Sequence, residues 1–269
     1  MLKDYFGKDC ANLKSKKLYL FDMDGTIYLE NKLFDGVKEL LDNIKNNGGN
    51  YVFITNNSSK SVDDYVKKLE RLGLDVTKEN FFTSTQATIE LLKSDYKDKL
   101  IYAQGTKSFI KELLTSGILV TETFNEKADV VLVGFDPELT GEKLRNTCEM
   151  LTKLSVPYFA TNPDWVCPVE FGYIPDCGSM CFGIEKATGK MPIYIGKPQP
   201  TMINIVMKKF GVEKSDTVVI GDRLYTDIAS GVNADVDTVM VLSGEATLKD
   251  YEESEVKPTY VLNSVKEML

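Results

Sequence analysis

The hydrophobic and polar positions of the chain follow two patterns that alternate along most of its length. Short apolar segments rich in β-forming residues, such as Leu18–Phe21, precede segments whose apolar residues recur at helical spacing, as at Val37, Leu40, Leu41 and Ile44. This alternation is typical of βαβ units, in which crossover helices connect parallel strands. The pattern therefore predicts an α/β protein with a Rossmann-like three-layer core, a parallel sheet and an additional smaller α/β domain.

The pattern also gives approximate bounds for the elements. The predicted strands are 18–21, 51–54, 101–103, 129–135, 158–160, 193–195, 217–220 and 238–242. The predicted helices are 37–44, 61–73, 106–116, 144–154, 200–210 and 225–230. Residues 161–180 are rich in Pro, Gly and Asn and match neither pattern, so we expect a long loop there, of the kind that is often functional.

Composition narrows the chemistry that this fold can support. None of the 269 residues is a histidine, which excludes Ser-His-Asp and Cys-His catalysis and His-ligated zinc or haem. A net charge of −8 argues against binding to nucleic acid or to anionic membranes. The five cysteines form no CxxC pair, and the N-terminus has no apolar signal region, so free thiols in a cytoplasmic protein are expected.

Four polar clusters lie at or near the ends of predicted strands. They are 22–26 (DMDGT), 55–57 (TNN), 196–198 (GKP) and 221–227 (GDRLYTD). If the four strands share one parallel sheet, these clusters meet at its carboxyl edge, where open α/β sheets bind ligands.

The residue types in these clusters favour phosphoryl chemistry. One crevice would then hold four carboxylates, those of Asp22, Asp24, Asp222 and Asp227. They repel one another unless a cation lies among them, and ligation by oxygen alone favours Mg²⁺. An ionised aspartate can attack phosphorus without a histidine base. A second carboxyl group, such as Asp24, can then protonate the leaving oxygen and later activate water.

The four clusters resemble motifs I to IV of the haloacid dehalogenase (HAD) superfamily. Residues 55–59 (TNNSS), 160–164 (ATNPD) and 183–189 (GIEKATG) are similar to further signatures of its NagD-like, or 4-nitrophenylphosphatase-like, subfamily, which carries a type IIA cap. The resemblance extends from Leu18 to the end of the chain. It implies a Mg²⁺-dependent hydrolase of small soluble phosphomonoesters.

The resemblance also implies a role for each matching residue. Asp22 would be the nucleophile and a metal ligand, and Asp24 the general acid and base, whose backbone carbonyl also binds the metal. The phosphoryl group would be held by Gly25, Thr55, Asn56, Asn57 and Lys197, with Thr55 and Lys197 also counted as catalytic. Asp222 would ligate Mg²⁺ directly, and Asp227 would hold metal-bound water or Lys197.

The spacing of the motifs predicts where the extra domain is inserted. The chain between Asp22 and Thr55 suffices for one helix and one strand, whereas the chain between Thr55 and Lys197 far exceeds a single crossover. We therefore expect a discontinuous core, 1–81 and 188–269, and a cap at 82–187. The family resemblance is compatible with a homodimer formed through this cap.

The cap loop supplies the candidates for substrate specificity. They are Asn162, Asp164, Trp165 and Cys167, and the first two could instead organise turns of the loop itself. In pyridoxal-phosphate phosphatases of the family a histidine contacts the substrate where this chain has Cys167, so the resemblance does not favour that substrate.

Two other functions are compatible with parts of the pattern. A dehalogenase-type hydrolase would use Asp22 but needs neither Asp24 nor a metal. A phosphate-responsive binding module would use the acidic pocket without turnover, although the inserted cap and Asp24 argue against it. Among phosphatase substrates, the pattern leaves sugar phosphates, nucleotides and aryl phosphates open.

Overall fold

A computed structural model describes residues 2–169 and 171–269 of the chain. Within these ranges the strands are β1 (Leu18–Phe21), β2 (Tyr28–Leu29), β3 (Lys32–Leu33), β4 (Asn50–Thr55), β5 (Phe81–Thr83), β6 (Leu100–Gln104), β7 (Leu119–Thr121), β8 (Val130–Val133), β9 (Tyr158–Ala160), β10 (Val166–Val169), β11 (Gly172–Pro175), β12 (Ile193–Tyr194), β13 (Thr217–Gly221), β14 (Asp237–Val241) and β15 (Tyr260–Leu262). The helices are α1 (Val37–Asn46), α2 (Val62–Arg71), α3 (Ser84–Asp95), α4 (Lys107–Thr115), α5 (Gly141–Lys153), α6 (Cys177–Thr188), α7 (Thr201–Phe210), α8 (Ala229–Ala234) and α9 (Leu248–Glu253). None of the described helices is long and apolar enough to cross a membrane.

The chain divides into two compact units. The first comprises the residues up to Thr55, Val66–Phe82 and Lys197–Leu269, and the second comprises Asn56–Tyr65 and Thr83–Gly196. The second unit thus takes in a short segment that directly follows Thr55 and continues to the residue before Lys197.

The first unit is built on a six-stranded sheet in the order β15-β14-β13-β1-β4-β5. The strands from β15 to β4 pair in parallel, and all four residues of β1 are buried, as expected for a central strand covered on both faces. Helices α1, α7 and α8 pack on β4, β1 and β14. The predicted α/β class with a Rossmann-like core is therefore confirmed.

The second unit has its own parallel sheet, in the order β12-β9-β8-β6-β7. Its core consists of the buried faces of these strands and of α5 and α6, including Val131, Val133, Met150 and Ile184. The five cysteines are free thiols.

Several parts of the structure differ from the expected elements. Residues 161–180 are not a single loop: they contain the antiparallel hairpin β10–β11 and the first turn of α6. The expected helix 225–230 is a π-helical turn at Leu224–Ile228 that continues into α8. Strand β5 and helix α3 lack a clear apolar period in the sequence, and the buried face of α3 includes the polar residues Ser84, Thr85 and Thr88.

Candidate active site

The candidate site lies at the carboxyl edge of the first unit's sheet. Strand β1 lies between β4 and β13, so Asp22, Thr55 and Asp222 come from the ends of three adjacent strands. The condition that the strand before Lys197 belongs to the same sheet is not met, because β12 pairs with β9 in the second unit. Lys197 itself belongs to the first unit, and its long side chain brings its ammonium group to this edge.

Lys197 connects two of the aspartates. Its Nζ lies 2.6 Å from Asp22 Oδ1 and 2.6 Å from Asp227 Oδ1, and it also donates to the carbonyl of Ile54 at 3.2 Å. Only 2% of the Lys197 side chain is exposed. Burial acts to lower the pKa of Lys197, but Asp22 and Asp227 together outweigh burial and raise that pKa above its ordinary value. Lys197 is therefore a fixed positive charge between the two carboxylates.

The carboxylates of Asp22, Asp222 and Asp227 form a tight cluster, with one oxygen atom from each within 4.8 Å of the others. Burial, followed by repulsion from Asp227, raises the pKa of Asp22 well above its ordinary range, and Lys197 opposes this shift. Burial and Asp227 likewise raise the pKa of Asp222 to about 7. One lysine does not neutralise three carboxylates, and these hard oxygen ligands fit a divalent cation.

Asp222 is held in place by the loop that follows β14. Its Oδ2 accepts a hydrogen bond from the backbone N–H of Glu245 at 2.7 Å, and its carbonyl accepts one from the N–H of Ala246. A Cβ atom at Gly244 would lie 2.0 Å from Asp222 Oδ2, and one at Gly25 would lie 2.3 Å from the same atom. The carboxylate therefore fills space that only glycine leaves open at both positions.

Asp24 has a different environment from the buried carboxylates. Its side chain is 47% exposed, and it receives a hydrogen bond from the hydroxyl of Tyr28. The turn after Asp24 is tight: Gly25 has a φ of +84°, and its N–H donates to the carbonyl of Tyr28 at 2.9 Å. An exposed carboxyl group beside a buried one offers two aspartates with separate chemical properties.

The other predicted phosphate-binding residues fall in different places. Thr55 is buried at the end of β4 in the first unit, whereas Asn56 and Asn57 belong to the second. The Asn56 side chain donates to Asp164 Oδ1 at 3.1 Å. Asn57 Oδ1 accepts hydrogen bonds from the N–H and hydroxyl of Ser59 at 2.9 and 2.7 Å. Both amide side chains thus have partners inside the second unit.

The four specificity candidates separate into two pairs. Asn162 and Asp164 are buried, and Asn162 Nδ2 donates to the carbonyl of Asn56 at 2.6 Å, so this pair holds the segment after Thr55. Trp165 is 57% exposed, and its ring lies edge-on to Phe182 with centroids 5.9 Å apart. Cys167 is half-buried at the start of the hairpin, where its Sγ accepts from Asn57 at 4.0 Å.

Sequence reasoning missed several residues around this site. Tyr28 and Lys68 contact Asp24, while Gly244 and Glu245 enclose Asp222. One signal was available, since the loop 243–246 follows a predicted strand as the other four clusters do. Nothing in the pattern distinguishes Lys68 from the other lysines of the chain.

Comparisons with known proteins identify the family of this chain. A family model described as haloacid dehalogenase-like hydrolase matches residues 19–119, and a HAD-hydrolase-like model matches residues 194–268. An acid sugar phosphatase of Staphylococcus saprophyticus is 31% identical over 257 residues, which are 96% of this chain and 98% of the relative.

Solved structures extend the likeness to the whole fold. A 4-nitrophenylphosphatase from Thermotoga maritima superimposes with a TM-score of 0.91 at 38% identity, over 97% of this chain and 98% of the other. NagD from Escherichia coli K-12 matches with a TM-score of 0.85 at 32% identity, over 94% and 98%. A glycerol phosphate phosphatase from Mycobacterium tuberculosis was solved in complex with magnesium. It matches with a TM-score of 0.88 at 27% identity, over 95% of this chain and 77% of the other. The chain belongs to the haloacid dehalogenase-like hydrolases and, within them, to the NagD-like phosphatases.

Proposed function

We propose that the protein is a Mg²⁺-dependent phosphomonoester hydrolase of small phosphorylated metabolites that acts through an aspartyl-phosphate on Asp22. The observation that carries the proposal is the arrangement around Asp22: its carboxylate contacts the buried ammonium group of Lys197 at 2.6 Å and lies in a cluster with Asp222 and Asp227. The proposed nucleophile, a buried positive charge and the proposed oxygen ligands thus lie close together.

The metal would be held by Asp22, Asp222 and the backbone carbonyl of Asp24, with Asp227 beside them. The cluster fits Mg²⁺ because it offers carboxylate oxygens and no sulphur or imidazole ligand. When bound, the cation neutralises carboxylates that otherwise repel one another and offsets the charge of the phosphoryl oxygens. The magnesium complex of the mycobacterial relative supports this choice of metal.

The chain's own residues account for both chemical steps. In the first, a carboxylate oxygen of Asp22 attacks phosphorus, the bond from phosphorus to the leaving oxygen breaks, and Asp24 gives its proton to that oxygen. In the second, Asp24 takes a proton from water, the resulting hydroxide attacks phosphorus, and the Asp22 carboxylate is released with inorganic phosphate. No histidine is needed at either step.

The phosphoryl group is proposed to bind among Lys197, Thr55, Asn56, Asn57 and Gly25. Lys197 Nζ already contacts the nucleophile, so it lies where it can offset charge between Asp22 and the incoming phosphoryl oxygens. Because the side chains of Asn56 and Asn57 have partners in the second unit, we propose that their backbone N–H groups are the donors to phosphate.

We propose that the second unit acts as the cap that selects the leaving group, with Trp165 and Cys167 as contact residues. Sugar phosphates and aryl phosphates are the substrate classes we propose, because the relatives include an acid sugar phosphatase and a 4-nitrophenylphosphatase. Nucleotides and assembly into a homodimer through the cap stay predictions from the sequence.

Removal of the metal tests the proposed function. Hydrolysis of 4-nitrophenyl phosphate should stop in EDTA and return when Mg²⁺ is added in excess, as a continuous assay of nitrophenolate release would show. Burial raises the pKa of Asp222 to about 7, so below this pH Mg²⁺ must displace a proton. The Mg²⁺ concentration for half-maximal activity should therefore rise as the pH falls from 8 to 6. Full activity in EDTA would contradict the proposal, as would Mg²⁺ binding without turnover of any phosphomonoester.

The substitution Gly244→Ala should weaken metal binding through Asp222 alone. Its Cβ would lie 2.0 Å from Asp222 Oδ2 and force the carboxylate to move. We expect the Mg²⁺ concentration for half-maximal activity to increase about tenfold or more, in line with changes next to metal ligands. Gly141→Ala is the matched control, because a Cβ there meets nothing within 4 Å. Equal Mg²⁺ dependence in the two variants would argue against Asp222 as a ligand.

A further inference from the structure

The carboxyl group of Asp24 is contacted at both of its oxygens by side chains to which no role has yet been assigned. The Tyr28 hydroxyl donates to Asp24 Oδ2 at 3.1 Å, and Lys68 Nζ lies 3.8 Å from Asp24 Oδ1. Lys68 Nζ also lies 3.6 Å from the centroid of the Tyr28 ring, a cation–π distance. Asp24, Tyr28 and Lys68 therefore form one three-residue cluster, which we call the Asp24 clamp.

The two contacting side chains are held more firmly than the carboxylate itself. Tyr28 is fully buried, and its backbone carbonyl and N–H bond to Gly25 and Met23 at 2.9 and 3.2 Å across the tight turn. Lys68 is 22% exposed and comes from α2, remote in sequence, whereas the Asp24 side chain is 47% exposed. An exposed carboxyl group ordinarily samples several rotamers, so fixed partners at both oxygens select one orientation.

We propose that Tyr28 and Lys68 are positioning residues that make Asp24 an effective proton donor to the leaving oxygen. The proposal rests on the role given to Asp24 under the proposed function. In that step the bond from Asp22 to phosphorus forms, the bond to the leaving oxygen breaks, and the Asp24 proton moves to that oxygen.

The clamp is suited to proton donation because it fixes the direction of the Asp24 carboxyl group. The Tyr28 hydroxyl and the Lys68 ammonium group each attract one carboxyl oxygen, so the group is held in one orientation before the substrate binds. A carboxyl group that is already oriented loses little further rotamer entropy when the proton moves, so these contacts lower the barrier to proton donation. Lys68 at 3.8 Å is too distant for a hydrogen bond, so Oδ1 stays available to carry the transferred proton.

This role differs in a measurable way from a purely structural one. Proton donation matters most for poor leaving groups and little for good ones. A structural defect would reduce the hydrolysis of every substrate alike. Phenyl phosphate and 4-nitrophenyl phosphate share one ring shape, but the nitro group makes the second leaving group far better. The ratio of kcat/KM for the two substrates therefore separates an effect on proton donation from an effect on binding.

The test compares kcat/KM for these two substrates, because this constant reports the steps through the breaking of the bond to the leaving oxygen. In Tyr28→Phe and Lys68→Met, kcat/KM for phenyl phosphate should fall about tenfold further than kcat/KM for 4-nitrophenyl phosphate. This loss is a part of the rate enhancement of about 10²–10⁴-fold that general acid catalysis typically contributes. Lys68→Arg should restore most of the ratio. Lys67→Met, an exposed neighbour on the same helix, should keep the wild-type ratio.

Asp24→Asn separates failure of the inference from failure of the proposed function. If Asp24→Asn shows a large loss selective for phenyl phosphate while Tyr28→Phe and Lys68→Met lose both substrates equally, the clamp is structural and the inference is overturned. If Asp24→Asn itself shows no selectivity, the acid role of Asp24 fails and the inference fails with it. Thermal unfolding of each variant confirms that the protein measured is folded.

Discussion

Asp22→Asn should reduce the hydrolysis of 4-nitrophenyl phosphate by at least about 10⁴-fold at saturating Mg²⁺, the scale of loss seen when a covalent nucleophile is removed. The neutral amide is nearly the same size as the carboxylate but does not attack phosphorus. An acid-quench experiment with labelled substrate should trap phosphate on the wild-type protein and none on the variant.

The fold of this variant should be intact, which makes the result interpretable. Asp22 lies in a cluster of three carboxylates, where burial and repulsion from Asp227 raise its pKa, so replacing it with a neutral group relieves repulsion. Lys197 retains Asp227 as an ion-pair partner at 2.6 Å. We expect the metal-free variant to unfold at or above the wild-type temperature.

A matched control is available on the surface of the same unit. Asp216 also pairs with a lysine, Lys17, at 2.6 Å, but its side chain is far more exposed than the carboxylates of Asp22 and Asp227. Asp216→Asn should have wild-type activity, because exposed ion pairs contribute little. Wild-type turnover in Asp22→Asn, or a labelled phosphoenzyme in that variant, would eliminate Asp22 as the nucleophile.

Lys197→Met should impair both catalysis and stability. Methionine has a similar length, but it lacks the positive charge that lies between Asp22 and Asp227. It also lacks the hydrogen bond to the carbonyl of Ile54. Breaking a buried ion pair at one partner typically costs about 3–5 kcal/mol, and losing a preorganised group at a reacting oxyanion costs about 10²–10³-fold in rate. We therefore expect a lower unfolding temperature and kcat/KM reduced about 10³-fold for the folded protein.

Lys16→Met shows which part of this loss is structural. Lys16 is also largely buried, with 6% of its side chain exposed, and it pairs with Asp237 at 2.6 Å. This control should lose stability while its folded fraction keeps the wild-type kcat/KM. Equal kcat/KM in the two folded variants would contradict the role of Lys197 at the reacting phosphoryl group. Added Mg²⁺ should raise the unfolding temperature of Lys197→Met more than that of Lys16→Met, because the first leaves the carboxylates unneutralised.

The sequence was informative where local pattern and position coincide. The buried strand before Asp22 and the apolar run before Asp222 both predict parallel strands, and the structure pairs them directly. The pattern therefore predicts that their polar ends meet at one edge of the sheet. The hairpin β10–β11 was not predicted, because its residues alternate only between exposed and half-buried positions and carry no clear apolar period.

The route taken by Lys197 is the clearest case in which local pattern was insufficient. Its preceding strand belongs to the sheet of the second unit, yet its ammonium group reaches Asp22. Strand pairing is decided by contacts between residues far apart in sequence, so an apolar run of three residues predicts a strand but not its neighbours. The same limit explains why Lys68 was missed: its contact with Asp24 joins a helix to a distant turn.

By itself, the sequence determined the fold class and the absence of histidine chemistry, since these follow from residue types and their spacing along the chain. It also nominates the aspartates and the lysine of the proposed reaction. Only the tertiary structure decided which carboxylates share Lys197, how Gly25 and Gly244 leave room for Asp222, and which side chains hold Asp24. The physical reason is that a hydrogen bond or an ion pair depends on distances of about 3 Å, and long-range packing alone sets such distances.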